Sequence, residues 1–149
     1  MNALPSPEDI LAFWLGETPV SADAVQTQNK MWFQGGEALD RELEARFLPL
    51  LETLSAGPLA RDWAGRGAHG RLAAIIVLDQ FSRNIFRGKP RAFAQDMLAL
   101  DLCKDGLTER QDLGLAEAER VFFYLPMEHS EALTDQVRSV ELFAALARD

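Results

Sequence analysis

Arg71 to Phe86 reads RLAAIIVLDQFSRNIF. Leu72, Ile75, Ile76, Leu78, Phe81, Ile85 and Phe86 recur at helical steps yet cover nearly every side of the turn, so the segment is a helix with almost no polar face. Such a helix is stable in water only when neighbours enclose it, and Arg71 to Phe86 is therefore expected to be the central rod of an all-α domain. At roughly 100° per residue, Leu72, Ile76, Asp79, Gln80, Arg83 and Arg87 share one arc, apolar upstream and polar downstream. The polar half must face water, a partner or a pocket.

Downstream of the rod, Gly88-Lys89-Pro90 ends the helix and Arg91 to Lys104 begins another. So short a connection returns the chain antiparallel, giving a helical hairpin that Gly106 closes. Counting back through the turn sets Arg83 nearly level with Asp96, which lies beside an apolar stripe of Phe93, Met97 and Leu100. Ala116 to Leu125 and Ser130 to Ala147 read as a further pair, separated by Pro126-Met127-Glu128-His129, with Ser130 as the N-cap of the second.

Upstream, Gly65, Gly67 and Gly70 punctuate the chain after a short turn of helix from Leu59 to Trp63. Leu39, Leu43, Phe47, Leu50, Leu51 and Leu54 form the apolar face of an amphipathic helix that Gly57-Pro58 ends. A polar stretch after Pro19 leads to Met31-Trp32-Phe33, a docking segment entering a helix before Gly35-Gly36. Ser6 ahead of Pro7-Glu8-Asp9 starts a helix that runs to Gly16, because serine accepts from free amides, proline suits the first helical position and acids favour the positive dipole end. No segment alternates apolar and polar residues as a strand would, and no linker divides the 149 residues, so one domain over residues 1–149 is expected.

With 48% apolar and 26% charged residues the chain has the composition of a folded protein rather than a disordered one. A net charge of -8 argues against nucleic acid and against anionic membrane surfaces, since both are bound mainly through Lys and Arg. Cys103 is the single cysteine and His69 and His129 are the only histidines, which leaves no internal disulfide and no ordinary zinc site. Neither a metal nor a cofactor is expected, as no GxSxG, P-loop or GxGxxG pattern occurs. Met1 to Pro5 shows no targeting pattern, and the longest apolar run, Leu72 to Leu78, is too short to span a bilayer. A reducing, cytoplasmic location is expected.

Two constellations carry whatever chemistry there is. Asp79, Gln80, Arg83, Asn84, Arg87 and Asp96 would place a guanidinium between carboxylates, either tying two helices together or lining a ligand site. Arg83, Arg87, Lys89 and Arg91 are also the one concentrated positive segment, suited to a carboxylate or phosphate, although cations near a helix C-terminus are stabilising without any ligand. The second constellation is Glu128-His129-Ser130-Glu131, in which His129, oriented by Glu128 or Glu131, has the residue types for acid-base work, or simply bonds its own loop. Cys103, with no histidine near in sequence, reads as an inert core residue, and Trp14, Trp32 and Trp63 read as packing.

The segments Trp32-Phe33, GRLAAIIVLDQFSRNIFRG from Gly70 to Gly88, RAFAQD from Arg91 to Asp96, and ERVFFYLPMEHSE from Glu119 to Glu131 resemble the bacterial family called domain of unknown function 924 over most of the chain. The resemblance implies an all-helical fold similar to tetratricopeptide repeats, with stacked antiparallel hairpins forming a curved surface, and implies no activity. Ala92 and Ala99 stand where small packing residues of such a repeat would, but no clean 34-residue period appears. Relatives are expected to continue past Leu142-Phe143 with a further helical segment, so that a site needing it would be incomplete here.

Two functions follow. One is a binding module that presents Asp79, Gln80, Arg83 and Asn84 to a peptide, a protein or a small anionic ligand, as a monomer or as a homodimer through exposed apolar surface such as Trp32-Phe33 or the C-terminal edge. The other is an enzyme in which His129 exchanges a proton while Arg83 or Arg87 holds an anionic substrate group. The second requires His129 to lie beside that arginine cluster.

Overall fold

The computed structural model describes residues 3–16 and 22–148, so the Pro19 end of the polar stretch lies outside the described residues. These residues form eight helices and, among them, no strand. They are α1 (Pro7–Leu15), α2 (Ala22–Gln34), α3 (Gly36–Ser55), α4 (Pro58–Gly65), the rod α5, α6 (Asp96–Thr108), α7 (Glu117–His129) and α8 (Leu133–Arg148). The rod is composite: α-helical over Ala68–Ile75, wound as a π-helix over Ile76–Phe81, and α-helical again over Ser82–Ile85. Among the described residues no helix is long and apolar enough to cross a membrane.

Local chemistry explains the helix starts. At Ser6 the hydroxyl accepts from the Asp9 amide at 3.2 Å while the Asp9 carboxylate accepts from the Ser6 amide at 2.9 Å, a reciprocal cap that satisfies two otherwise free donors. Pro7 and Pro58 occupy first helical positions, where a missing N–H costs nothing. The far end of α1 is closed by side chains of α2: Gln28 Nε2 donates to the carbonyls of Phe13 and Trp14, and Trp32 Nε1 donates to that of Trp14 at 2.8 Å.

The rod is enclosed as its composition demands. Leu72 through Asp79 are all fully buried, with α1, α3, α4, α6 and α7 packed around them. Phe81 contributes an aromatic junction in which Phe13 and Trp14 of α1 and Phe47 of α3 surround its ring, at centroid distances of 6.3, 5.4 and 5.1 Å. Leu39, Leu43, Phe47, Leu50, Leu51 and Leu54 are buried against the rod as their period requires. Gly70 lets α4 and α5 cross closely, since a Cβ there would stand 2.2 Å from the Trp63 carbonyl oxygen.

Three boundaries differ from the sequence reading. The segment after Pro90 is a turn of 3-10 helix (Pro90–Phe93), and α6 starts only at Asp96, leaving Phe93 and Met97 exposed rather than buried with Leu100. Gly106 does not close a hairpin but lies inside α6, pressed against Phe123 and the buried Arg71. Helix α7 runs through Pro126 to His129, and Ser130 ends it instead of capping the next helix. The Ser130 hydroxyl donates to Asp135, and Lys104 pairs with the same carboxylate, which holds that carboxyl below its ordinary range.

Candidate functional site

The rod's π-turn positions the site. Over Ile76–Phe81 the bonding widens, with the Ser82 amide reaching the Val77 carbonyl five residues back. Such a turn re-aims the residues it contains, and Asp79 lies within it, its side chain 1% exposed. The carboxylate is met by three donors. Arg83 Nη1 reaches Oδ1 at 3.2 Å, Gln80 Nε2 reaches Oδ2 at 2.7 Å, and His129 Nδ1 reaches Oδ1 at 2.8 Å. A buried carboxylate requires such donors, because desolvation without them is costly.

His129 thus lies against the rod at the last residue of α7, fifty residues away in sequence from Asp79. Because the carboxylate only accepts, Nδ1 carries the hydrogen, and in the neutral ring the lone pair belongs to Nε2. Nε2 has no hydrogen-bond partner among the described residues, and the side chain is 24% exposed. The partner that orients His129 is Asp79 and not, as its neighbours in sequence suggest, Glu128 or Glu131, both of which are exposed.

Arg83 bridges outward from the same centre. Its Nη1 and Nη2 donate to the two Asp96 oxygens at 2.8 and 3.0 Å, Nη1 also donates to the Asp79 main-chain carbonyl, and the guanidinium lies 5.2 Å from the Phe93 ring centroid. The short turn between the helices sets Arg83 and Asp96 level, and they meet as a bidentate pair.

A second clamp adjoins it. Asp40 on α3 accepts from Asn84 Nδ2 at 2.9 Å and, in a two-pronged contact, from Arg87 Nε and Nη2 at 2.8 and 3.1 Å. The Arg87 hydrogen bonds hold the Asp40 carboxyl below its ordinary value against the opposing effect of burial, and Asp40 raises Arg87 in turn. Nothing in the amphipathic pattern of α3 marks Asp40, which sits among exposed acids there. The four basic residues Arg83, Arg87, Lys89 and Arg91 do not converge: Arg83 goes to Asp96, Arg87 to Asp40, Arg91 stacks on Phe86 at 4.3 Å, and Lys89 is exposed.

Two clefts flank Trp32. One, of about 620 Å³, runs between α2 and α7, walled by Val25, Trp32, Phe33, Val121, Phe122 and Leu125, with Gln80 at its rod side. Ala118, Val121, Phe122 and Leu125 follow one face of α7, and His129 is the next residue on that face, one turn beyond Leu125. The other cleft, of about 420 Å³, is lined by Asp40, Asn84, Arg87 and the Gly35-Gly36 corner. Among the described residues no group of three or more His, Cys, Asp or Glu side chains is placed to hold a metal. Cys103 is buried, and burial pushes its thiol up to about 12. Trp14 and Trp63 are core, whereas Trp32 is partly exposed and forms a cleft wall.

An all-helical domain with a buried aspartate on a π-turn and an arginine-carboxylate bridge beside it is the class of protein these residues define. Residues 10–149 match the family described as bacterial protein of unknown function (DUF924), and the chain belongs to that family. It is similar to the solved structure of a protein of unknown function, ATU0120, from Agrobacterium tumefaciens, with a TM-score of 0.81 and 31% identity, covering 94% of this chain and 73% of that one. Among curated proteins none matches.

Proposed function

We propose that the chain is a small-molecule enzyme in which His129 Nε2 acts as general base and Asp79 is the positioning residue behind it. The observation that carries this reading is the 2.8 Å contact from His129 Nδ1 to a buried carboxylate, which fixes the ring's tautomer and leaves the other nitrogen for a substrate. Arg83 and Gln80 hold Asp79 in turn, and Asp96 holds Arg83. A π-turn at the aspartate supports the reading, since such turns concentrate at functional sites. The binding-module alternative is less well served: Asp79 is enclosed and both Arg83 and Asn84 are already paired, so none is free to greet a peptide or an anion.

The adjacency of α4 with α5 and of α7 with α8 fits hairpins stacked in the manner of tetratricopeptide repeats. A cytoplasmic location fits a single buried thiol, and the acidic balance fits a small-molecule partner rather than nucleic acid.

The test is untargeted. A metabolite mixture is incubated with the wild-type chain and with His129→Gln, and both are followed by mass spectrometry. At least one compound is consumed by the wild type, and the variant consumes it about 10²- to 10⁴-fold more slowly. Equal consumption by both, or none by the wild type, overturns the reading.

A further inference from the structure

We propose that the cleft between α2 and α7 takes a molecule with an apolar body and a nitrogen-borne hydrogen-bond donor at its head, an amine or an amide, docked on Gln80. This deepens the enzyme reading and rests on it for the ligand's role as substrate, though not for its binding.

The cleft's volume of about 620 Å³ falls in the range of small-molecule sites. Its walls supply apolar contact and little else. Trp32 has spent its N–H on the Trp14 carbonyl, so it offers the ligand only its ring, and Phe33 projects from α2 with 81% of its surface exposed. Phe122 packs edge-on against Trp32 at 4.8 Å, which stiffens that wall.

The polar groups choose the head. The Gln80 amide has two ends, and the Asp79 carboxylate decides between them: a carboxylate accepts but does not donate, so Nε2 faces Asp79 Oδ2 at 2.7 Å. The carbonyl Oε1 is therefore the end left for the cleft that Gln80 lines, and it is an acceptor. Glu117, exposed at the first turn of α7, adds a negative charge to the cleft lining, while Asn29 can serve either way. A ligand carboxylate would meet the Gln80 carbonyl oxygen, acceptor against acceptor, and an acidic rim, whereas an N–H would be matched by the Gln80 oxygen. The docked head lies at the end of the cleft nearest Asp79, on the face of α7 that leads to His129.

The test uses three probes that share one body: 3-phenylpropylamine, 3-phenylpropanamide and 3-phenylpropanoate. Binding is followed by titration calorimetry and by tryptophan fluorescence. The amide is essential, because a protein of net charge -8 attracts any cation without a specific site. Amine and amide are expected to bind at least 10-fold more tightly than the carboxylate. Gln80→Met weakens both by about 10-fold, and Val121→Trp, which fills the cleft without touching Asp79, removes binding. An amide that binds no better than the carboxylate overturns the proposal, as does binding that survives Val121→Trp. His129→Gln separates the two claims: it leaves probe binding in place and removes turnover. Turnover retained in that variant sinks the base while the cleft stands; turnover lost with no probe preference sinks the cleft alone.

Discussion

Arg83 sits in the fork of the Asp96 carboxylate, with donor distances of 2.8 and 3.0 Å, while its Nη1 also reaches the buried Asp79. One guanidinium thus joins the rod to α6 and offsets a carboxylate that has no access to water. Arg83→Ala is expected to cost about 3 kcal/mol, the lower end of the range for stripping one partner from a buried pair. For a chain of this length that lowers the melting temperature by roughly 6–12 °C. Lys89→Ala, on an exposed side chain, changes stability by less than about 0.5 kcal/mol. Calorimetric melts of both variants check the contrast, and similar shifts for the two would refute it.

Acid should loosen the Asp40 clamp. The Arg87 hydrogen bonds lower the Asp40 carboxyl below 3.8 in the folded chain, so the unfolded chain takes up the proton first as pH falls. The clamp's contribution is whole above the unfolded value and disappears as pH drops through the folded one. Arg87 is mostly in solvent, so the effect is small, on the order of 1 kcal/mol or less. Asp40→Asn is expected to flatten the stability profile below about pH 4 relative to the wild type; urea midpoints across that range measure it.

Cys103 should resist thiol reagents. Its thiol is buried and pushed up to about 12, first by burial and then by the nearby Asp112, Asp79 and Asp135 carboxylates. Labelling with a disulfide reagent at pH 7.5 is expected to be at least 100-fold slower in the native chain than in urea. Rapid native labelling would mean that α6 opens far more readily than its packing implies.

Gly106→Ala tests how tightly α6 is seated. A methyl group there would stand 2.5 Å from Phe123 Cζ and 2.6 Å from Arg71 Cδ. Arg71 cannot swing aside cheaply, because its guanidinium is buried and donates to Gln111 and to the Leu102 carbonyl. The substitution is expected to cost about 1–3 kcal/mol by overpacking, whereas Gly114→Ala, with open space around it, should leave the melt nearly unchanged.

Legibility in the sequence followed distance along the chain. The enclosure of Leu72 to Leu78 and the buried face from Leu39 to Leu54 could be read because helical period is a local property, and Arg83 could be matched to Asp96 because a single short turn separates them. Asp79 could likewise be matched to Arg83 one turn along the rod, but neither Asp40 nor Asp79 carried a signal for its distant partners: Asn84 and Arg87 come to Asp40 from more than forty residues away, and His129 comes to Asp79 from fifty. Glu128 and Glu131 were the visible neighbours of His129 and both turn outward, since adjacent residues on a helix end point in different directions. Pro126 looked like a terminus and is an interior residue of α7, because packing outweighs the loss of one amide donor. Carrying α7 past Pro126 is what delivers His129 to the rod.

The widened coil from Ile76 to Phe81 has a consequence for how this chain can change. A rod bonded at a uniform pitch transmits any rotation along its whole length, whereas one with a loosened coil has a joint where phase can be gained or lost. Dropping one residue from that coil would let it tighten while the oily segment upstream stayed wrapped by its neighbours. The aspartate would then be carried round the axis, out of reach of the imidazole. Shape and chemistry are therefore separable in this helix, and a shortened relative could keep the former after losing the latter.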